Sequence, residues 1–477
     1  MWSKEYADCL AYIDSYWNKI IYKPSKMKLR YRVATIPNRL QFSREITTTV
    51  NVNPNFIKLP HYYFVPNDNK FTYIFYWDSY FMFRGLMGTR REWLMREMIE
   101  NFMYLFHMYQ IIPNFNAPAS MGRSQPPFFS SMILDTYLSP LNSSNDYVRK
   151  GIGRQLYTLT KKNWLKKAME VAKKEYEIVW IDKIRAYNHS VKDSLLARYG
   201  DRDIGYAHSS ELESGWDMTS RFYNRCDQFF PIDLNSYLYK YEKDFALAAK
   251  ILGDDREGEY WQEKARERQK EMHKLMWDPN EAFFYDYNYI AKKIGHYFSL
   301  ASYVPMWAGL ATKYQAKQMV EKLHKFVTPY GLTIGAKESL AHDIDLSKIQ
   351  QRYHPAIEEI IMPKQWDYPN IWSPLEYLTV IGLLKYGYME EAKGIMQNAV
   401  KAHANVFRKH QTFFEKLNGE TGHSGSNAKY EDQQGFGWTN AVFYRYIQLL
   451  DALESPEGIY TTPEPNGEPP YDLAILY

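Results

Sequence analysis

Along most of the chain apolar residues recur at helical spacing, in long segments separated by Pro, Gly and Asn. Clear amphipathic stretches cover 92–110, 161–176, 233–252, 258–277, 315–326, 374–386, 389–403 and 438–453. In 258–277, Trp261, Ala265, Met272 and Met276 mark one face while Lys, Arg and Glu occupy the other. Less regular segments around Tyr80, Ser130 and Ser299 bring the expectation to eleven to thirteen helices. Residues 1–23 interleave Lys4, Glu5, Asp8 and Asp14 with apolar positions, which predicts an amphipathic helix and no signal peptide. From Met27 to Pro54 the pattern changes to β-branched alternation, with Ile46, Thr47, Thr48, Thr49, Val50 and Val52, and predicts short strands or an extended arm. No strand–helix–strand alternation follows, so the expected class is all-α. Helix pairs joined by short, motif-bearing loops suit a closed ring. The expected organisation is an N-terminal helix and arm over 1–60, a helical domain over 61–454 and a Pro/Gly/Glu-rich extended tail over 455–477.

Composition narrows the function classes. Hydrophobic residues make up 45% of the 477 positions and charged residues 24%, an ordinary globular balance. The 17% aromatic content serves either core packing or sugar stacking, and local motifs must decide which. Net charge is only +4 and Lys and Arg are dispersed, which excludes a nucleic-acid or anionic-membrane footprint and suits a small neutral substrate. Cys9 and Cys226 match no disulfide framework or zinc spacing and are expected to be free thiols. No run of 18 uncharged apolar residues occurs, so no membrane-spanning helix is expected, and a cytoplasmic location is. There is no HExxH, and His403 and His410 lack an acidic partner at ligand spacing, so neither metal nor cofactor is expected. Gly151 and Gly153 lack a third glycine, and no GxSxG is present, which removes dinucleotide and serine-nucleophile chemistry.

Carboxylates, amides and tryptophans gather in five segments that read as helix-joining loops: YWDSY (76–80), RSQPPFF (123–129), ESGWDMTSRF (213–222), QWDYPNIWSP (365–374) and the stretch from Glu415 to Asn440. Each has a plain structural alternative, with Asp78, Ser214 or Ser373 capping a helix or the tryptophans plugging a core edge. Together they suit acid/base cleavage of a glycosidic bond, which needs two carboxyls in different protonation states on opposite sides of a sugar. Asp217 and Glu415 form such a pair by context. Trp216 and Phe222 flank the first, Phe413 and Phe414 the second, and apolar surroundings raise a carboxyl pKa. Glu431, 16 residues beyond Glu415, is the competing base. A sugar-binding protein without catalysis is the non-enzymatic alternative, and it has no need of a flanking carboxyl pair.

These segments resemble, in the same order from about Lys70 to Tyr446, the marked segments of trehalases. The resemblance implies an (α/α)6 barrel that hydrolyses α,α-trehalose with inversion and without a metal. Carried over residue by residue, it implies Asp217 as general acid, Glu415 as general base and Glu431 as a sugar ligand. It also implies sugar contacts from Trp77, Asp78, Asn114, Arg123, Ser124 and Gln125, and a backbone contact from Gly215. Trp216, Gln365, Trp366, Asp367 and Trp438, in the same segments, are expected in the substrate site. Lys70 stands where trehalases carry an arginine, and an ammonium does not reproduce a guanidinium fork. The segment RYGDRD (198–203), GHSGSNAKYE (422–431) and Ile371 also depart from the trehalase pattern. All of these surround the substrate, so they bear on the sugar more than on the reaction class. A related group of α-glucosidases and glucosylglycerate or mannosylglycerate hydrolases shares the barrel and the acid/base layout. Its members usually carry a YWRG-type segment where this chain has QWDYPN.

Overall fold

The structure is a computed structural model describing residues 1–25, 56–139, 152–182, 187–201, 207–222, 225–341, 363–425 and 431–455. The expected arm over 27–54 and the tail beyond 455 lie outside the described residues.

Fourteen α-helices occur among the described residues. They are α1 (Trp2–Glu5), α2 (Ala7–Ile20), α3 (Tyr76–Arg84), α4 (Trp93–Tyr109), α5 (Phe129–Leu138), α6 (Ile152–Glu175), α7 (Ala207–Glu213) and α8 (Ile232–Leu252). After these come α9 (Asp255–Met276), α10 (Val304–Ala308), α11 (Lys313–Glu321), α12 (Ser373–Lys385), α13 (Met389–His410) and α14 (Gly437–Leu453). Six form an inner ring: α3 touches α5, α5 touches α8, and the contacts run on through α10, α12 and α14 until α14 closes on α3. Outside it, α2 packs on α14, α4 on α5, α6 on α5 and α8, α9 on α8, and α13 on α12 and α14. With α11 following α10, inner and outer helices alternate along the chain, which is the (α/α)6 barrel.

Hydrophobic pattern separates the two rings. In α9 only Trp261, Ala265, Arg268, Met272 and Met276 are buried, the single stripe of an outer helix. Its start is fixed by Asp254, whose carboxylate accepts the Glu257 N–H, and α11 begins with a capping box between Thr312 and Gln315. In α3 all nine residues are buried, and in α12 all but the last, because neighbours surround them on every side. That explains one difference from expectation. YWDSY, read as a joining loop beside a less regular helix around Tyr80, is the first turn of α3, and 374–386, read as amphipathic, is buried on nearly every face in α12.

Two-residue strands, invisible at this length in the sequence, fasten the loops between helices. The pair Asn370–Ile371 and Leu417–Asn418 runs antiparallel, with Asn370 opposite Asn418 and Ile371 opposite Leu417. It brings the segment ahead of α12 against the segment ahead of α14. No described helix is long and apolar enough to cross a membrane.

Candidate active site

A cavity of about 340 Å³ lies at the N-terminal ends of the inner helices. Trp77 and Asp78 enter it from the first turn of α3, Arg123 and Gln125 from the segment before α5, and Trp366 from the segment before α12. Gly215 and Asp217 come from the turn after α7, and Glu415 from the connection between α13 and α14, where Trp438 completes the wall. Lys70 and Asn114 also line it.

The Asp217 turn is built from its neighbours. Gly215 has φ +75°, and a Cβ there would lie 2.7 Å from the Trp77 ring, so only glycine lets the turn lie against that indole. The Glu211 carboxylate accepts the N–H groups of Met218 and Thr219, both at 3.0 Å, and burial pushes its pKa up to about 7. Gln365 Nε2 donates to the Asp217 carbonyl at 2.9 Å and reaches Asp217 Oδ2 at 3.4 Å. Asp217 itself is half-buried.

Glu415 is 2% exposed. Its N–H donates to the Gln433 carbonyl at 2.9 Å, while its own carbonyl accepts from Trp438 Nε1 at 3.0 Å and Thr439 Oγ1 at 3.2 Å. Three of the four tryptophans that frame the cavity make a ladder: Trp366 stacks on Trp372 at 3.8 Å with rings 6° from parallel, and Trp77 lies 5.7 Å from Trp366. Trp438 meets Trp77 and Trp372 edge-on. Flat apolar faces beside clustered carboxyls are what a sugar ring requires.

Asp78 carries the electrostatic signature of the site. Burial pushes its carboxyl well above the ordinary range, backbone hydrogen bonding in its own turn opposes this, and the negative charges of Glu415 and Asp217 push it further up. Asp78 therefore senses the charges of both other carboxyls across one cavity.

Sequence and shape comparisons agree with this geometry. The Trehalase family model matches residues 11–451. The chain belongs to the trehalase family. Its structure is similar to neutral trehalase Nth1 from Saccharomyces cerevisiae, with a TM-score of 0.67 and 28% identity over 81% of this chain and 73% of that one. It also shares the fold of a GH63 mannosylglycerate hydrolase from Thermus thermophilus, with a TM-score of 0.58 and 15% identity over 80% of this chain and 95% of that one. This trehalase-family protein is a glycoside hydrolase whose substrate is a small sugar compound.

Several residues expected in the trehalase-type site lie behind its wall or away from it. Asp367 is fully buried, and its two oxygens already accept from Thr219, Ser220, Tyr297 and the Lys364 N–H, so it ties loops together and has no face for substrate. Trp216 is buried against the Arg221 guanidinium and Trp366. Ser124 is buried with its hydroxyl on the Ile112 carbonyl and its N–H on Glu213. Gln365 reaches Asp217 from behind the wall. Glu431 is exposed and does not line the cavity. Conversely, Phe71, Tyr73, Phe75, Phe115, Leu212 and Trp372 line it without having been singled out. Trp372 stood inside a recognised segment and Phe115 beside Asn114, whereas nothing about Leu212 marks it in sequence.

A buried ion pair braces the Arg123 side. Glu213 accepts from His189 Nε2, the Gly200 N–H and the Ser124 N–H, each at 2.7 Å. Burial alone would lower the His189 pKa, but the Glu213 charge holds it above the ordinary value. Among the described residues no group of His, Cys, Asp and Glu is arranged to hold a metal ion.

Proposed function

We propose that this enzyme hydrolyses α,α-trehalose to two glucose molecules with inversion, Asp217 acting as general acid and Glu415 as general base. The observation that carries the reading is that these two carboxyls line one sugar-sized cavity and that both their charges raise the Asp78 carboxyl in the same cavity. In the reaction Asp217 gives its proton to the glycosidic oxygen as the C1–O bond breaks. Glu415 takes a proton from the water whose oxygen bonds to C1 from the opposite face. Inversion asks for carboxyls about 6.5–9.5 Å apart, with the water held between Glu415 and the sugar. Trp77, Trp366 and Trp438 offer ring faces, and Asp78, Asn114, Arg123 and Gln125 offer partners for hydroxyls.

A second reading is favoured by Lys70 and Arg123 on the same wall. Two cations would suit a carboxylate aglycone, as in glucosylglycerate or mannosylglycerate. The buried free thiols Cys9 and Cys226 fit a reducing, cytoplasmic setting for either substrate. Glucose release from trehalose, compared with glucosylglycerate, nigerose and kojibiose, separates the two. NMR of the first-formed products of trehalose should show β- and α-glucose in equal amounts, the first from the inverted C1 and the second released as the leaving glucose with its own α-anomeric centre intact, and α-glucose alone would overturn the roles given to the two carboxyls.

A further inference from the structure

Lys416 follows the base in sequence, yet it does not line the cavity and none of its surface reaches solvent. Its side chain therefore reaches Glu415 from the protein side of the wall. A buried ammonium persists only where partners replace water. Here Nζ lies 2.6 Å from Asp432 Oδ1, 3.4 Å from Glu415 Oε2 and 5.1 Å from the centre of the Trp372 ring. Its stem is gripped as well, since a methyl group added at Gly425 would collide with the Lys416 side chain. Asp432 is anchored in turn by the Gly425 N–H. The result is a chain of contacts from Asp432 through Lys416 to Glu415, braced on an indole that itself stacks on the cavity-lining Trp366.

The charges facing Glu415 make this cation consequential. Asp78 and Asp217 share its cavity and are both acidic, the cations Lys70 and Arg123 line the same cavity with Arg123 already paired to Asp201, and Glu415 is itself buried. Burial and carboxylate neighbours all favour a protonated Glu415, which could accept no proton from water. The cation at 3.4 Å acts in the opposite sense. We propose that Lys416 is the positioning residue of the base: anchored on Asp432 and seated over Trp372, its buried ammonium holds the Glu415 carboxylate in place and charged. The proposal rests on the reading of Glu415 as general base.

The test is the pH profile of kcat/KM for Lys416→Met, Lys416→Arg and the double variant Lys416→Met/Asp432→Asn, on whichever substrate the wild type turns over. The double variant removes both buried charges together and guards against misfolding of the single one. An opposite charge within about 4–6 Å moves a carboxyl by about 1–3 pH units, so in both methionine variants the acidic limb should move upward by about one unit or more. Activity about one unit below the wild-type limb midpoint should then fall about tenfold further than activity on the plateau. Lys416→Arg keeps the charge and should keep the limb within a few tenths of a unit, whatever its plateau. If both methionine variants lose activity equally at every pH with the limb unmoved, Lys416 only fills space and the proposal falls. Glu415→Gln separates this from failure of the underlying reading: wild-type turnover in that variant removes Glu415 as base, whereas an inactive Glu415→Gln with an unmoved methionine limb removes the role of Lys416 alone.

Discussion

Glu415 and Glu431 are the same residue type 16 positions apart, and the fold treats them differently. Glu415 sits almost fully buried on the cavity wall, its backbone fastened by Gln433, Trp438 and Thr439. Glu431 is exposed and absent from that wall. A base acting only in the transition state supports kcat more than KM. Glu415→Ala should therefore lower kcat by about 10²–10⁴-fold or more with little change in KM, and Glu431→Ala should leave kcat within a few-fold. Azide, which needs no deprotonation, should partly restore turnover of α-glucosyl fluoride by Glu415→Ala. Rescue of Glu431→Ala alone would exchange the two roles. Sequence favoured Glu415 through its neighbours Phe413 and Phe414 and the trehalase resemblance, and left Glu431 as a competitor because burial is settled only by the fold.

At the scale of elements, the loop bearing Asp217 is held by a clamp that sequence context disguises. Arg221 closes the segment ESGWDMTSRF, where a cation could as well meet substrate. It is instead buried beneath the site, with Nη1 and Nη2 paired to the two Asp233 oxygens at 2.8 and 2.9 Å. Its Nε and Nη2 meet Asp286 at 2.8 and 2.6 Å, and its plane covers Trp216 at 4.6 Å. One guanidinium thereby joins the Asp217 loop, the start of α8 and the strand segment around Asp286. Breaking a buried ion pair from one side leaves uncompensated charge, here on two carboxylates. Arg221→Met should cost about 3–5 kcal/mol in urea unfolding followed by tryptophan fluorescence, and a loss under about 1 kcal/mol would show the clamp to be idle.

Across the whole molecule, burial of titratable groups makes stability depend on pH. Glu376, inside α12, accepts the Leu332 N–H at 2.7 Å, and burial pushes its pKa from 4.5 up to about 8. Its folded-state value lies above the unfolded one, so its stabilising share is complete below about pH 4.5 and is lost as pH rises through 8. Glu175, raised by burial to about 7, acts in the same direction. His403, lowered by burial to about 4, acts oppositely: the unfolded chain takes up its proton between about pH 6.5 and 4, and stability falls with acidity there. Glu376→Gln keeps the shape without the charge. The Tm difference between that variant and wild type should move in the variant's favour as pH rises from about 5 to 8, and a difference constant with pH would contradict the assignment.

The helices of the outer ring were determined by the sequence itself, because a half-solvated helix must write its buried face as a stripe, as in 258–277 against the observed Asp255–Met276. The chemistry-bearing segments were legible too, since clustered carboxyls, amides and tryptophans have no packing reason to recur together. Their carboxyl pair, Asp217 and Glu415, does meet in one cavity. Inner helices were legible unevenly: 233–252, 374–386 and 438–453 match the observed Ile232–Leu252, Ser373–Lys385 and Gly437–Leu453, whereas α3, buried at all nine positions, showed only as a less regular segment around Tyr80. Nor could the sequence tell wall from scaffold within a segment. Trp366 faces the cavity while its neighbour Asp367 is saturated by four loop partners, and Lys416 stands behind Glu415, because side-chain direction, burial and the nearest opposite charge exist only once the ring has closed.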